Sequence, residues 1–302
     1  MFGRAPRPHY HERLARVWIP WAALIHLFAS KGRAEPPFSA APWATAYAVK
    51  RTDPVKIDGS LLEWSGVPGV KMAEEKFFFV GQGMSSAQWK GPADLSASFR
   101  MRWDNEFLYI AIEVTDDQVT EPHGSAASGT DTGSWDDDGI ELMLDTDGCG
   151  MPRYYVGDER HHEIHFVYSA KHPYVFDNFW KPKRGAPQPM FQLPDGSEEP
   201  LAYPDEVLTK NDVTARFAAP PYHGQFAFMR TPTGYNAEIR IALPGAKMTA
   251  INEGGQRIGF DLAINDNDSG AGHLKQQLHW SGVNGLFWRN CQCFGTLLLL
   301  NR

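Results

Sequence analysis

The sequence predicts an all-β protein, an antiparallel β-sandwich with long loops. Short segments whose side chains alternate apolar and polar with a period of two recur along the chain. Clusters of turn-forming residues separate them, and 28 glycines and 22 prolines in 302 residues supply that punctuation. No stretch of ordinary helix length carries the 3.6-residue apolar period of an amphipathic helix.

Composition narrows the function. A 42% hydrophobic and 13% aromatic content suits a packed globular chain. The formal net charge of -7 disfavours nucleic acid as a partner and offers no basic face to an anionic membrane. Residues 1–34 read as a signal peptide. Arg4, Arg7, Arg13 and Arg16 precede an apolar run from Val17 to Ala29, and Gly32 and Ala34 suit cleavage before Glu35. That run is short for a membrane span, although an uncleaved anchor is the other reading of the same leader. The mature protein is expected to be secreted, periplasmic or in the cell envelope, with no membrane segment left. Cys149, Cys291 and Cys293 are too few for a disulfide framework, and Cys149 could pair with either of the others.

Residues 35–302 read as a single domain, with a proline-marked, extended lead-in over 35–54. KIDGSLLEW suggests a short strand ending at Asp58, a turn at Gly59, and an apolar patch of Leu61, Leu62 and Trp64. Residues 70–94 look irregular, anchored by Phe77, Phe78 and Phe79. In SASFRMRWDNEFLYIAIEV, Ala97, Phe99, Met101 and Trp103 alternate with polar residues, Asp104-Asn105 turns, and Leu108, Ile110, Ile112 and Val114 return: a hairpin. Thr115 to Gly133 reads as a polar loop. HHEIHFVYS, GYNAEIRIALP and IGFDLAINDND are further alternating strands, and the six prolines of residues 181–204 suggest a long surface excursion. The end, from HWSG through FWRNCQCFGTLLLL, reads as two strands joined by a loop.

SWDDDGIELMLDTDG, residues 134–148, carries the strongest functional signal. With Ile140, Leu142 and Leu144 facing a core, Glu141 projects from the opposite face. A tryptophan before such a strand suits a sugar: the indole of Trp135 covers the apolar C–H face and the carboxylate of Glu141 accepts hydroxyl hydrogen bonds. The same residues also fit a rim tryptophan beside a solvated acidic turn.

Taken together, KIDGSLLEW, FRMRWDNEFLYIAIEV, SWDDDGIELMLD, GYNAEIRIAL, IGFDLAINDND and FGTLLLL resemble the family 9 carbohydrate-binding modules, part of the DOMON-like β-sandwiches. The resemblance spans about residues 45–302. It implies a jelly-roll-like sandwich, often with structural calcium, that binds polysaccharide or oligosaccharide and serves a glycoside hydrolase, here one on another chain. In that family two tryptophans sandwich a terminal sugar. One precedes the strand of a ligand-binding glutamate, matching Trp135 and Glu141; the other lies in a Trp-Arg pair of the last loop, matching Trp288 and Arg289. An arginine of the family's slot falls at His165, an asparagine at Val167 and a glutamine at Ala263, so this slot has lost several donors.

Other constellations compete. Asp145 and Asp147 flank one Gly-closed turn and Asp266 and Asp268 form a similar pair, either of which suits the oxygen ligands of calcium. His161, Glu163 and His165 would share a strand face, but nothing there dictates a tetrahedral metal set. Glu141 with one of Asp136 to Asp138 could be a glycosidase pair, yet no catalytic domain is left over, and the chain is not expected to be an enzyme. The DOMON-like resemblance also implies a rival, a b-type haem domain with the haem between the sheets and axial ligands among Met101, Met143, His165 and His279; a ligand-free structural domain of the cell envelope is the third reading.

Overall fold

The computed structural model describes residues 44–79, 88–122, 136–146, 148, 161–169, 174–177, 190–192, 198–200, 214–219, 222–243, 246–268, 276–282 and 291–301. Regular structure there is strands and short 3-10 turns. The strands are β1 (Thr45–Lys50), β2 (Gly69–Met72), β3 (Leu95–Trp103), β4 (Phe107–Asp116), β5 (Gly139–Asp145), β6 (His161–Val167), β7 (Tyr174–Asp177), β8 (Met190–Gln192), β9 (Glu198–Pro200), β10 (Thr214–Ala219), β11 (Tyr222–Thr231), β12 (Gly234–Ala242), β13 (Ile258–Asp266), β14 (Gln276–His279) and β15 (Gly295–Leu300).

Thirteen of them form one continuous sheet in the order β10-β11-β12-β4-β3-β1-β15-β13-β5-β6-β7, with β2 beside β3 and β14 beside β13. The sheet folds over on itself. Phe99 of β3 meets Phe260 of β13 with ring centroids 5.9 Å apart, and Phe166 of β6 meets Phe226 of β11 at 5.3 Å. Tyr168 stacks on Tyr235 of β12 at 5.0 Å. Strands distant in sheet order therefore face each other across one apolar core, each aromatic pair adding about 0.5–1.5 kcal/mol beyond its buried area. The result is the expected β-sandwich.

The alternating hairpin appears as β3 and β4, with every apolar residue named above in the core. Several expectations change. The 35–54 lead-in contains β1, which lies at the middle of the sheet and runs parallel to both β3 and β15. The sandwich is thus not wholly antiparallel. Ala46 and Ala48 are fully buried where the two layers join, and alanine carries too little hydrophobicity to make a six-residue strand stand out.

No strand ends at Asp58. Residues 55–67 instead lie as a flap over the outer face of the first layer, packing Ile57, Trp64 and Val67 on Tyr109, Ala111 and Ala227. Leu62, assigned to the apolar patch, is 85% exposed. The penultimate strand begins earlier than HWSG, at Gln276, and Cys291 and Cys293 lie in a 3-10 turn, not a strand. The excursion over 181–204 contains the hairpin β8–β9, a separate two-stranded sheet. Cys149 lies outside the described residues.

Candidate binding site

β5 is fully buried and uses both faces. Ile140, Leu142 and Leu144 enter the inter-layer core, whereas Met143 belongs to a second apolar cluster on the outer face, with Phe79, Ala263 and Phe294. Glu141 shares that outer face. Strand register sets rows of side chains across it: His165, Glu141, Ala263 and His279 stand in one row, Glu163, Met143 and Asp261 in the next, and Val167, Gly139, Asn265 and Gln277 in the third.

A relay of amides holds Glu141. Asn265 Nδ2 donates to Glu141 Oε1 at 2.7 Å, and Gln277 Nε2 donates to Asn265 Oδ1 at 2.6 Å. His165 Nδ1 lies 3.7 Å from Glu141 Oε1, and its Nε2 lies 3.4 Å from Glu163 Oε1. Glu141 is 2% exposed. Burial pushes its carboxyl above the ordinary range, and Glu163 adds to this, while His165 and the amides oppose it.

A second cluster sits at one end of the sandwich. Asp116 ends β4 in one layer, and Asp138 and Asp266 flank β5 and β13 in the other; their ligand atoms lie within 4.8 Å of one another, all buried. Asp138 accepts from the backbone N–H of Asn267 at 2.6 Å and of Thr120 at 2.5 Å. Gln276 Nε2 donates to Asp266 Oδ2 and Asp94 Oδ2. Asp116 Oδ2, Asp266 Oδ1 and Gln276 Oε1 are buried with no hydrogen-bond partner among the described residues. Burial raises all three: Asp116 to about 7, with repulsion from Asp138 and Asp268; Asp138 to about 6, with repulsion from Asp137; and Asp266 to about 9, with repulsion from Asp116, Asp268 and Asp138. Buried oxygens held against their own charge are what a hard cation relieves.

The structure regroups the aspartates expected to hold calcium. Asp266 joins Asp116 and Asp138, while Asp268 joins Asp94 and Asp117. Asp145 pairs with Gly259, at the other end of β13 from Asp266. Asp147 lies outside the described residues.

Asp261, His279 and Ser281 resemble a hydrolase triad but are wired differently. His279 Nδ1 faces both Ser281 Oγ at 3.0 Å and Asp261 Oδ2 at 3.3 Å. A nucleophile and its orienting acid need opposite imidazole nitrogens. Burial raises Asp261 to about 8 and lowers His279 to about 3, so near neutral pH the imidazole is uncharged. Met101 is in the inter-layer core, while Met143, His165 and His279 stand on the outer face of one layer. No two of these four face each other across a space between the sheets, as axial haem ligands there would.

Of the expected sugar-site residues, Glu141 and His165 are direct cross-strand neighbours. Trp135, Trp288 and Arg289 lie outside the described residues. Sequence reasoning missed Asn265 and Gln277. The first is readable from the alternation of β13, where Asp261, Ala263 and Asn265 share a face; the second required the earlier start of β14.

Fold and polar face together define a β-sandwich binding module. The chain belongs to the carbohydrate family 9 binding domain-like family, which it matches over residues 76–179 and 207–302. That family consists of non-catalytic carbohydrate-binding modules, in agreement with the expectation that this chain is not an enzyme. It is 22% identical over 238 residues to endo-1,4-beta-xylanase C of Paenibacillus barcinonensis, a match covering 78% of this chain and 17% of that protein. It is 23% identical over 212 residues to exoglucanase XynX of Acetivibrio thermocellus, covering 70% of this chain and 14% of that protein. The chain thus spans less than a fifth of either relative. Its fold is similar to a carbohydrate binding module family 9 from Caldicellulosiruptor kristjanssonii in complex with cellotriose, with TM-score 0.51 and 18% identity over 85% of this chain and 94% of that one. The glucose complex of a module of the same description gives 0.50 and 18%, over 85% and 96%.

Proposed function

We propose that this chain is an exported module that captures the ends of plant-type polysaccharide chains, with one sugar ring held between Trp135 and Trp288. Glu141 orients the ring by accepting from its hydroxyls, His165 flanks it, and Arg289 supplies a donor beside Trp288. The observation that carries this reading is Glu141, a carboxylate held by an amide relay on the outer face of a fold whose family binds sugars. Its low exposure suits the floor of a slot, where a hydroxyl hydrogen bond to a charged acceptor gains strength from the dry surroundings. The glucose and cellotriose bound by the similar modules, and the xylanase and exoglucanase names of the relatives, point to β-linked plant polysaccharides as the ligand class. Serving a glycoside hydrolase on another chain fits the same ligands.

Calcium belongs to this proposal. Asp116, Asp138 and Asp266, with the side-chain oxygen of Gln276, suit it better than the Asp145–Asp147 turn, because their buried oxygens come from both layers. The ion would brace Asp138, three residues from Trp135 and three from Glu141. A glycan array with the mature protein, run with and without a chelator, tests both parts. Retention on β-glucan or xylan oligosaccharides, weakened by the chelator, is expected; no retention on any glycan would contradict the reading.

A further inference from the structure

The polar face around Glu141 carries more than a sugar slot requires. Glu141, Glu163 and His165 each offer one ligand atom, all within 4.8 Å of one another, and the three residues are only 2–3% exposed. They come from two adjacent strands: His165 is opposite Glu141, and Glu163 is two residues from His165 on the same face. We infer that these three residues form a binding site for a first-row divalent metal ion of the zinc class.

The donor set selects the metal. One imidazole nitrogen with two carboxylates is a mixed nitrogen–oxygen set, which suits zinc and its neighbours, whereas the all-oxygen aspartate cluster suits calcium. With the imidazole neutral, the three side chains carry two negative charges, which a divalent ion neutralises. Ligand atoms around tetrahedral zinc stand ~3.3 Å apart at bond lengths of ~2.0–2.1 Å. Glu141 faces Nδ1 of His165 at 3.7 Å and Glu163 faces its Nε2 at 3.4 Å, so an ion bound at one ring nitrogen requires the carboxylate on the other side to turn toward it. The relay from Gln277 through Asn265 orients Glu141 from behind, as outer hydrogen bonds commonly do for metal ligands. Three protein donors leave a fourth position for an oxygen donor, water or a hydroxyl. The site shares Glu141 and His165 with the proposed sugar slot, and metal binding is measured with no sugar present, so failure of one reading leaves the other to be decided separately.

The test is calorimetric titration of zinc chloride into tag-free, chelator-treated protein, with calcium in excess to fill the aspartate cluster. One equivalent per chain is expected. Glu163→Gln, which preserves shape, and His165→Ala should each weaken binding at least tenfold, whereas Glu106→Gln, in the exposed turn between β3 and β4, should not. Circular dichroism establishes that each variant is folded. The parent with cobalt(II) gives a second readout: visible ligand-field absorption of a low-coordinate site, discharged by one equivalent of zinc. Absence of zinc binding and of the cobalt spectrum in the folded parent would overturn the assignment. So would unchanged affinity in both variants, which would place the ion on other residues.

Discussion

At Gly139 a single hydrogen decides how closely two strands approach. A Cβ there would lie 2.6 Å from the carbonyl oxygen of Phe166 and 3.3 Å from Cα of Val167. Both are backbone atoms of β6 or its register, so neither can swing aside. Gly139→Ala should push β6 from β5, costing about 1–3 kcal/mol in urea denaturation, and it should displace His165 from Glu141. Glu141→Gln makes the opposite kind of change. The amide keeps an oxygen for Asn265 and removes a buried charge, so the protein should remain folded with stability changed by less than about 1.5 kcal/mol. Sugar affinity should nevertheless fall, since the acceptor is no longer charged. The position of Glu141 was legible in the sequence because three aliphatics at alternate positions leave it only the other face. Its partners were legible only in part: alternation places Asn265 on that face of β13, but the strand register that brings Asn265 and Gln277 to Glu141 leaves no local mark.

The flap over residues 55–67 is clasped by one carboxylate. Glu238 stands between Ala111 and Ala227 on neighbouring strands, and these small residues leave room for the flap to descend. Glu238 Oε1 accepts from Trp64 Nε1 at 2.7 Å, and Oε2 accepts from the N–H groups of Asp58 at 2.9 Å and Gly59 at 2.7 Å. Gly59 adopts a positive φ of 79°, and a Cβ there would lie 2.8 Å from Met229 Cβ. Trp64→Phe should cost about 1–3 kcal/mol, because it leaves a buried carboxylate oxygen without its donor. Burial pushes Glu238 from its ordinary 4.5 up to about 7, despite these donors. Between those values the folded state holds a proton that the unfolded chain has released. This group's contribution is therefore present below about pH 4.5 and is lost as pH rises through about 7. Denaturation midpoints across that range should show the decline, and Glu238→Gln should remove it while lowering stability at acid pH. KIDGSLLEW revealed the flap's turn and tryptophan but not its nature. The sequence around Asp58 is apolar enough for a strand, and only the paired alanines on other strands show where it docks.

Across the whole molecule, the two layers are joined through β1 and approach again at the Asp116–Asp138–Asp266 cluster. The all-β class was legible, since turn clusters and period-two alternation are local. The sheet order was not, because β1 couples to β15 across most of the chain and pairing partners leave no local mark. If calcium bridges the layers, it binds only the folded state, and a chelator should lower the melting temperature by several degrees, on the order of 1–3 kcal/mol. Asp266→Asn should reproduce that loss and abolish the response to the chelator. The central claim is that a sugar ring is held between Trp135 and Trp288 above Glu141. Isothermal titration of the mature chain with the oligosaccharide retained on the array tests it most directly, alongside Trp135→Ala and Trp288→Ala. The account predicts that each tryptophan variant stays folded and loses about 2 kcal/mol or more of binding free energy, as truncation of an aromatic anchor does. Two folded variants that bind the oligosaccharide as tightly as the parent would contradict it.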